Sequence, residues 1–144
     1  MITIFTIGFT KKTAEEFFSA LKTAGARKLL DIRLNNVSQL CGFTKRNDLA
    51  YFTREICGIE YRHLLDLAPT QELLDEYKKK GAGWPLYQER FLDLMSRRRI
   101  EEIDTRMIDG GCLLCSEERP AHCHRRLVAE YLREKWGELE IVHL

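Results

Sequence analysis

The run Ile2-Thr3-Ile4-Phe5-Thr6-Ile7-Gly8, then Thr13-Ala14-Glu15-Glu16-Phe17-Phe18, then Lys28-Leu29-Leu30-Asp31-Ile32-Arg33, decides the fold class. The first piece is β-branched and nearly all apolar before it stops at Gly8, the pattern of a central strand buried on both faces. The second has the form of a capping box. Ala14, Phe17, Phe18, Leu21 and Ala24 then recur at helical spacing until Gly25 supplies a stop. The third piece follows at once as a second strand. A strand, a helix and a strand separated by a crossover of this length pair in parallel. An α/β fold is expected.

Outward from this unit the pattern continues. Leu34 to Arg46 reads as a long polar loop, and long loops often carry function. A second helix is expected from about Asn47 to Cys57, closed by Gly58, and a third strand from Ile59 to Leu64. Helical spacing resumes from Thr70 to Lys80 and from Pro85 to Ile108, with breaks expected at Gly81-Ala82-Gly83 and near Arg97-Arg98-Arg99. Gly111 to Cys115 is a short apolar strand, followed by a polar turn from Ser116 to Pro120 and a helix to about Trp136. Glu138 to Leu144 suits a last strand. No repeat or linker interrupts the chain. The expectation is one three-layer α/β domain over residues 1–144, with a mostly parallel sheet of about four to five strands flanked by helices.

Composition narrows the classes of function. The 144 residues are 44% hydrophobic and 31% charged, as in a globular domain. Lys plus Arg number 23 against 22 Asp plus Glu, a net charge of +1 with no global pull toward nucleic acid or anionic membrane. Any basic site is local. No apolar stretch approaches the roughly 20 residues of a membrane span, so no membrane is expected. Five cysteines, an odd number, and an opening without a basic leader point to a reducing cytoplasm.

In open α/β sheets, ligands bind beyond the carboxyl ends of the strands. Strand one ends at Gly8 and leads to Thr10; strand two carries Asp31 and Arg33 at its end. The late strand ends with Cys115 and leads to Glu117, then to Cys123, His124 and Arg125. The reactive side chains therefore gather on one rim. Counting back from Leu127 and Val128 puts Cys123 and His124 on the inward face of the late helix at its first turn. A thiol there, beside imidazole and arginine, is in a setting that favours thiolate. Cys115 is the rival nucleophile. Asp31 and Arg33 form either a structural ion pair or a ligand contact, since the planar arginine fork suits phosphate and carboxylate equally. Lys78-Lys79-Lys80 and the arginine triplet read as solvated helix surface.

Cys112-Leu-Leu-Cys115 has zinc-like spacing, but on a strand its two sulfurs point to opposite faces. A discontinuous site from Cys115, Cys123, His124 and His63 is the form a metal site would take. Tyrosine phosphatases and rhodaneses also place a cysteine before a short loop closed by arginine, and Asp31-Ile32-Arg33 resembles a rhodanese strand. Cys115, however, is followed by Glu117 and Glu118 and meets Arg119 without a glycine to form a tight amide cradle. Neither of those reactions is expected.

Across nearly the whole chain, the sequence resembles the microbial family named domain of unknown function 488. The resemblance rests on Thr6-Ile7-Gly8 with Thr10, Asp31-Ile32-Arg33-Leu34-Asn35, Gly42-Phe43-Thr44-Lys45 and Gly58-Ile59-Glu60-Tyr61. Its most specific part is Leu114-Cys115-Ser116-Glu117 with Pro120, Cys123, His124 and Arg125. Asn36, where proline is expected, and Leu40-Cys41 depart from it. The resemblance implies an α/β fold and a shared rim site, with no reaction attached.

The leading functional expectation is an enzyme, a thiol-dependent transferase or hydrolase, acting on a small anionic, phosphate- or nucleotide-like substrate. Cys115, Glu117, Cys123 and His124 are its catalytic candidates; Gly8, Thr10, Asp31, Arg33, Lys45 and Arg125 are its binding candidates. This reading calls for no cofactor and no metal. One alternative is a non-catalytic module that binds nucleic acid or protein through Lys45, Arg46 and the loop near Phe43. Another is the Cys/His metal site.

Overall fold

A computed structural model of the chain describes residues 1–36, 42–117 and 120–144. Residues 37–41, within the long polar loop and including Leu40 and Cys41, lie outside the described residues. So do Glu118 and Arg119 in the turn before Pro120.

The five strands are β1 (Ile2–Gly8), β2 (Lys28–Asp31), β3 (Glu60–His63), β4 (Gly111–Cys115) and β5 (Leu139–His143). They form one sheet in the order β3-β2-β4-β1-β5, and every pair is parallel. β1 and β4 are central, as their near-continuous apolar sequences require. All five residues of β4 are buried.

Six α-helices stand among the described residues: α1 (Ala14–Ala24), α2 (Arg46–Phe52), α3 (Gln71–Lys78), α4 (Trp84–Arg98), α5 (Thr105–Ile108) and α6 (His124–Trp136). The capping box at Thr13 and Glu16 is formed, with both reciprocal bonds at 3.1 Å. Gly25 closes α1 in the left-handed conformation, φ 74°, donating to the carbonyls of Leu21 and Lys22.

The alternation of side chains along the strands sorts the core into two layers. Leu30, Ile32, Leu113 and Ile4 pack with Tyr87, Phe91 and Met95 of α4 and with Leu127, Val128 and Leu132 of α6. Leu29, Cys112, Leu114 and Ile7 pack with Phe17, Phe18 and Leu21 of α1 and Leu49 of α2 on the other face. The three-layer arrangement follows from this division.

Several boundaries differ from the sequence reading, each for a local reason. β2 ends at Asp31, two residues early, because the Asp31 carboxylate accepts the Arg33 backbone N–H at 3.1 Å and turns the chain out of the ladder. The second helix divides into α2 and a π turn, Thr53–Cys57, ended by Gly58 at φ 67°. The stretch from Pro85 to Ile108 breaks where Arg99 takes φ 53° in the left-handed region, and a 3₁₀ turn at Ile100–Glu102 separates α4 from α5. The late helix begins only at His124, with Cys123 as its N-cap.

Candidate functional site

After β2 the chain passes to the α2 face, while after β4 it enters α6 on the opposite face. Neighbouring chains that part in this way leave a crevice at the carboxyl ends of their strands. A cavity of about 160 Å³ lies there. Its lining draws on three places: Arg33 to Asn35 after β2, Cys115 to Glu117 with His122 to His124 after β4, and the α3 to α4 region.

Cys115 and Cys123 are both buried and are joined through their sulfurs as a disulfide. Their Cα atoms are 7.3 Å apart, wider than the roughly 4.4–6.8 Å that an ordinary disulfide spans. His124 joins them: one donor atom from each of the three residues lies within 4.8 Å of the others. The His124 Nε2 donates to the Ile32 carbonyl at 2.7 Å, which assigns the unprotonated lone pair of the neutral ring to Nδ1. Burial holds this imidazole down to about 4, against the Ile32 bond, which favours the charged form, and with help from the nearby Arg125 charge. The ring is neutral at physiological pH.

Arg125 is wholly buried behind the cavity. Its Nη1 donates to the Cys115 sulfur at 3.1 Å and to the Glu117 carbonyl at 2.6 Å. Burial pushes its own titration down to about 10, which still leaves it a cation at neutral pH. A buried guanidinium on a sulfur stabilises negative charge there.

Gly8 and Thr10 place this loop. A Cβ built on Gly8 would run into the Glu117 carbonyl and would meet Arg125 Nη1 at 2.9 Å. Only glycine lets the segment after β4 cross the end of β1 so closely. Thr10 then holds the Ser116 carbonyl through its backbone N–H at 3.2 Å and its hydroxyl at 2.5 Å.

Asp31 and Arg33 are a buried ion pair. The Arg33 Nε and Nη2 donate to the two carboxylate oxygens at 2.8 and 2.7 Å, and Nη2 also reaches the Thr44 carbonyl. The Tyr61 hydroxyl donates to Asp31 at 2.5 Å, and burial with the adjacent carboxylate raises its titration. Arg33 lines the cavity while its fork is committed to Asp31.

The candidates thus fall into three positions. Cys115, Glu117, Cys123, His124 and Arg33 line the cavity. Gly8, Thr10, Asp31 and Arg125 hold those residues from behind. Lys45 lies elsewhere, in a separate depression with Arg46, Asn47 and Asp48. The Phe43 ring near it packs on Phe17 and Phe18 at 5.5 and 5.9 Å, so it is turned into the core. His63, named with the metal reading, bonds the Arg33 carbonyl at 2.7 Å instead of joining the sulfurs. Cys112 packs on the opposite face of the sheet from Cys115, as strand alternation requires.

The sequence reading missed the aromatic wall. Tyr77, Trp84, Tyr87 and His122 all line the cavity. The Trp84 ring stacks on His122 at 4.9 Å and on Tyr87 at 5.2 Å, with Tyr77 set beside both tryptophan and tyrosine. Lys78, read as surface, also reaches the mouth, where Nζ lies 3.6 Å from a Glu117 carboxylate oxygen. The available signal was Trp84-Pro85-Leu86-Tyr87 directly after a glycine-rich break. Helical spacing alone cannot separate a core aromatic from one turned to a cavity.

Comparison with known families gives one match: a family model described as Domain of unknown function DUF488 covers residues 13–132. Neither the curated proteins nor the solved structures contain a match to the chain.

Proposed function

The chain belongs to the DUF488 family, and we propose that it is an enzyme acting on a small anionic, phosphate- or nucleotide-like substrate through the cysteine cluster on the cavity floor. The observation that carries this reading is the Cys115 sulfur, held 3.1 Å from the buried Arg125 guanidinium while lining a cavity. A buried cation beside a cysteine sulfur favours the thiolate, the form a reacting cysteine needs.

The remaining parts support the substrate class. Lys78 stands at the mouth as an exposed cation paired with Glu117, an exposed carboxylate able to carry protons. The wall of Trp84, Tyr87 and His122 offers flat apolar surface suited to a planar ring. A volume of about 160 Å³ is below the several hundred Å³ that encloses a drug-sized ligand, so the cavity takes a small molecule or the reacting end of a larger one. The reaction class proposed, transfer or hydrolysis, belongs to the dithiol form, reached when a thiol reductant opens the Cys115–Cys123 bond and is itself oxidised; the Cys115 thiolate then bonds to an electrophilic atom and the leaving group departs with the bonding pair. Water or a second acceptor then displaces the sulfur, restoring the thiolate, and Glu117 takes the proton released.

The test is differential alkylation of reduced, chelator-treated protein with iodoacetate and iodoacetamide, mapped by mass spectrometry. Cys115 or Cys123 is expected to react in the folded state ahead of Cys57 and Cys112. Phosphate or a nucleoside monophosphate is expected to slow that reaction. Labelling of both cavity cysteines only after unfolding, or labelling indifferent to every anion tried, would overturn the reading.

A further inference from the structure

We propose that Cys115, Cys123 and His124, once the bond between the two sulfurs is reduced, bind a single soft divalent metal ion, zinc by the chemistry of the donors, with one coordination position open to the cavity. The inference deepens the proposed function, because it names what keeps the cluster in its reactive form, and so it rests on the reading of that cluster as the reacting centre.

Three observations converge on it. The donor atoms of the three residues already lie within 4.8 Å of one another, at the floor of one cavity that all three line. Two thiolates and one imidazole are the donor set zinc favours, and three protein ligands with an open fourth position is the arrangement of catalytic zinc. The backbone also fits an ion better than a direct bond. With Zn–S bonds of about 2.3 Å, tetrahedral geometry separates two sulfurs by about 3.8 Å, which suits cysteines whose Cα atoms stand 7.3 Å apart.

The surroundings are arranged as outer partners of a metal. The His124 Nε2–H is tied to the Ile32 carbonyl at 2.7 Å, the second bond by which metal-bound histidines are oriented, leaving Nδ1 as the ligand atom. Arg125 Nη1 donates to the Cys115 sulfur at 3.1 Å, as donors to metal thiolates do. Coordination would hold both cysteines deprotonated at neutral pH and leave Cys115 a metal-activated nucleophile. The two negative sulfurs would in turn balance the ion, so no net charge is added to the buried site.

The probe is cobalt(II), which reports tetrahedral thiolate ligation by absorption. Reduced, metal-stripped protein is titrated with it, and the protein as purified under reducing conditions without chelator is analysed for metal. One equivalent is expected to bind, with intense visible bands and a sulfur-to-cobalt charge-transfer band. Zinc is expected to displace it. Cys115→Ser, Cys123→Ser and His124→Ala should each weaken binding by more than about 100-fold, beyond the 10- to 100-fold typical of outer partners. Cys57→Ser, whose thiol lies at the Phe18 carbonyl on the other face, should bind as the parent does.

Folded, reduced parent protein that takes up no stoichiometric cobalt overturns the proposal, as does uptake unaffected by Cys115→Ser and Cys123→Ser. Because the first of these results is read on the parent, variants that fail to fold do not blunt the test. The two readings fail separately. Absence of cobalt binding with anion-protected alkylation intact removes the metal alone. Cobalt binding with no anion protection removes the enzyme reading and leaves a metal site.

Discussion

Gly8 ties the two ends of the site together through what it lacks. The space a side chain would occupy is filled by the Glu117 carbonyl, with Arg125 Nη1 just behind. Backbone cannot move aside as the end of a flexible side chain can. Gly8→Ala is therefore expected to lose about 1–3 kcal/mol, the range of overpacked cores, and to displace the Cys115 loop. Urea denaturation measures the first effect and the anion-protected alkylation rate the second. A variant with the parent midpoint and the parent rate would show that the close approach has no consequence. Asp31 and Arg33 teach a related lesson. Their spacing allowed either an ion pair or a ligand contact, and only the distances of 2.7 and 2.8 Å show that the guanidinium is engaged by the carboxylate. Residue types alone cannot tell a group that binds from one that braces.

The elements most readable in the sequence are those whose ends are set by local chemistry. Thr13 and Glu16 cap α1 reciprocally, and Gly25 closes it at a positive φ, so both boundaries are written in a few neighbouring residues. Thr13→Ala should cost about 1 kcal/mol, while Thr13→Ser should retain most of that stability. A thermal melt of the two variants decides, and equal melting would mean the box contributes nothing. Where an end depends on distant partners, the sequence reading slipped. β2 stops at Asp31 because that carboxylate is buried against Arg33 and Tyr61. Cys123 became the cap of α6 without a side-chain capping bond, its sulfur directed to Cys115 instead. The α3 to α4 region shows the limit most clearly. Its helices were expected, but which of its aromatic residues face the sheet and which face the cavity depends on how α4 lies against β2 and α6.

At the scale of the whole molecule, the strand order β3-β2-β4-β1-β5 puts β1 and β4 in the middle, each paired on both sides, and leaves β3 and β5 at the edges. Amide hydrogen exchange should follow this order. The protons of β4 and β1 are expected to exchange slowest, near the rate set by global unfolding, and those of β3 faster. Equal protection in β3 and β4 would contradict the sheet order. The same order decides the site, because β2 and β4 are neighbours although some 80 residues of chain run between them. Among the described residues, no helix is long and apolar enough to cross a membrane. By itself the sequence determined the fold class, the strand, helix, strand opening and the family, because apolar periodicity, capping residues and clustered motifs are local properties of the chain. It also pointed the candidate residues to one rim, through the general rule for parallel sheets, a reading from which Lys45 departs. Only the tertiary structure decided which of them meet: it set Arg125 behind Cys115, bonded Cys123 to that sulfur with His124 close by, sent Lys45 elsewhere and brought Trp84 and Lys78 in. The reason is physical. Contacts at 3 Å between residues far apart in sequence depend on the order and twist of the sheet and on the packing of helices against it, and none of these leaves a local trace in the chain.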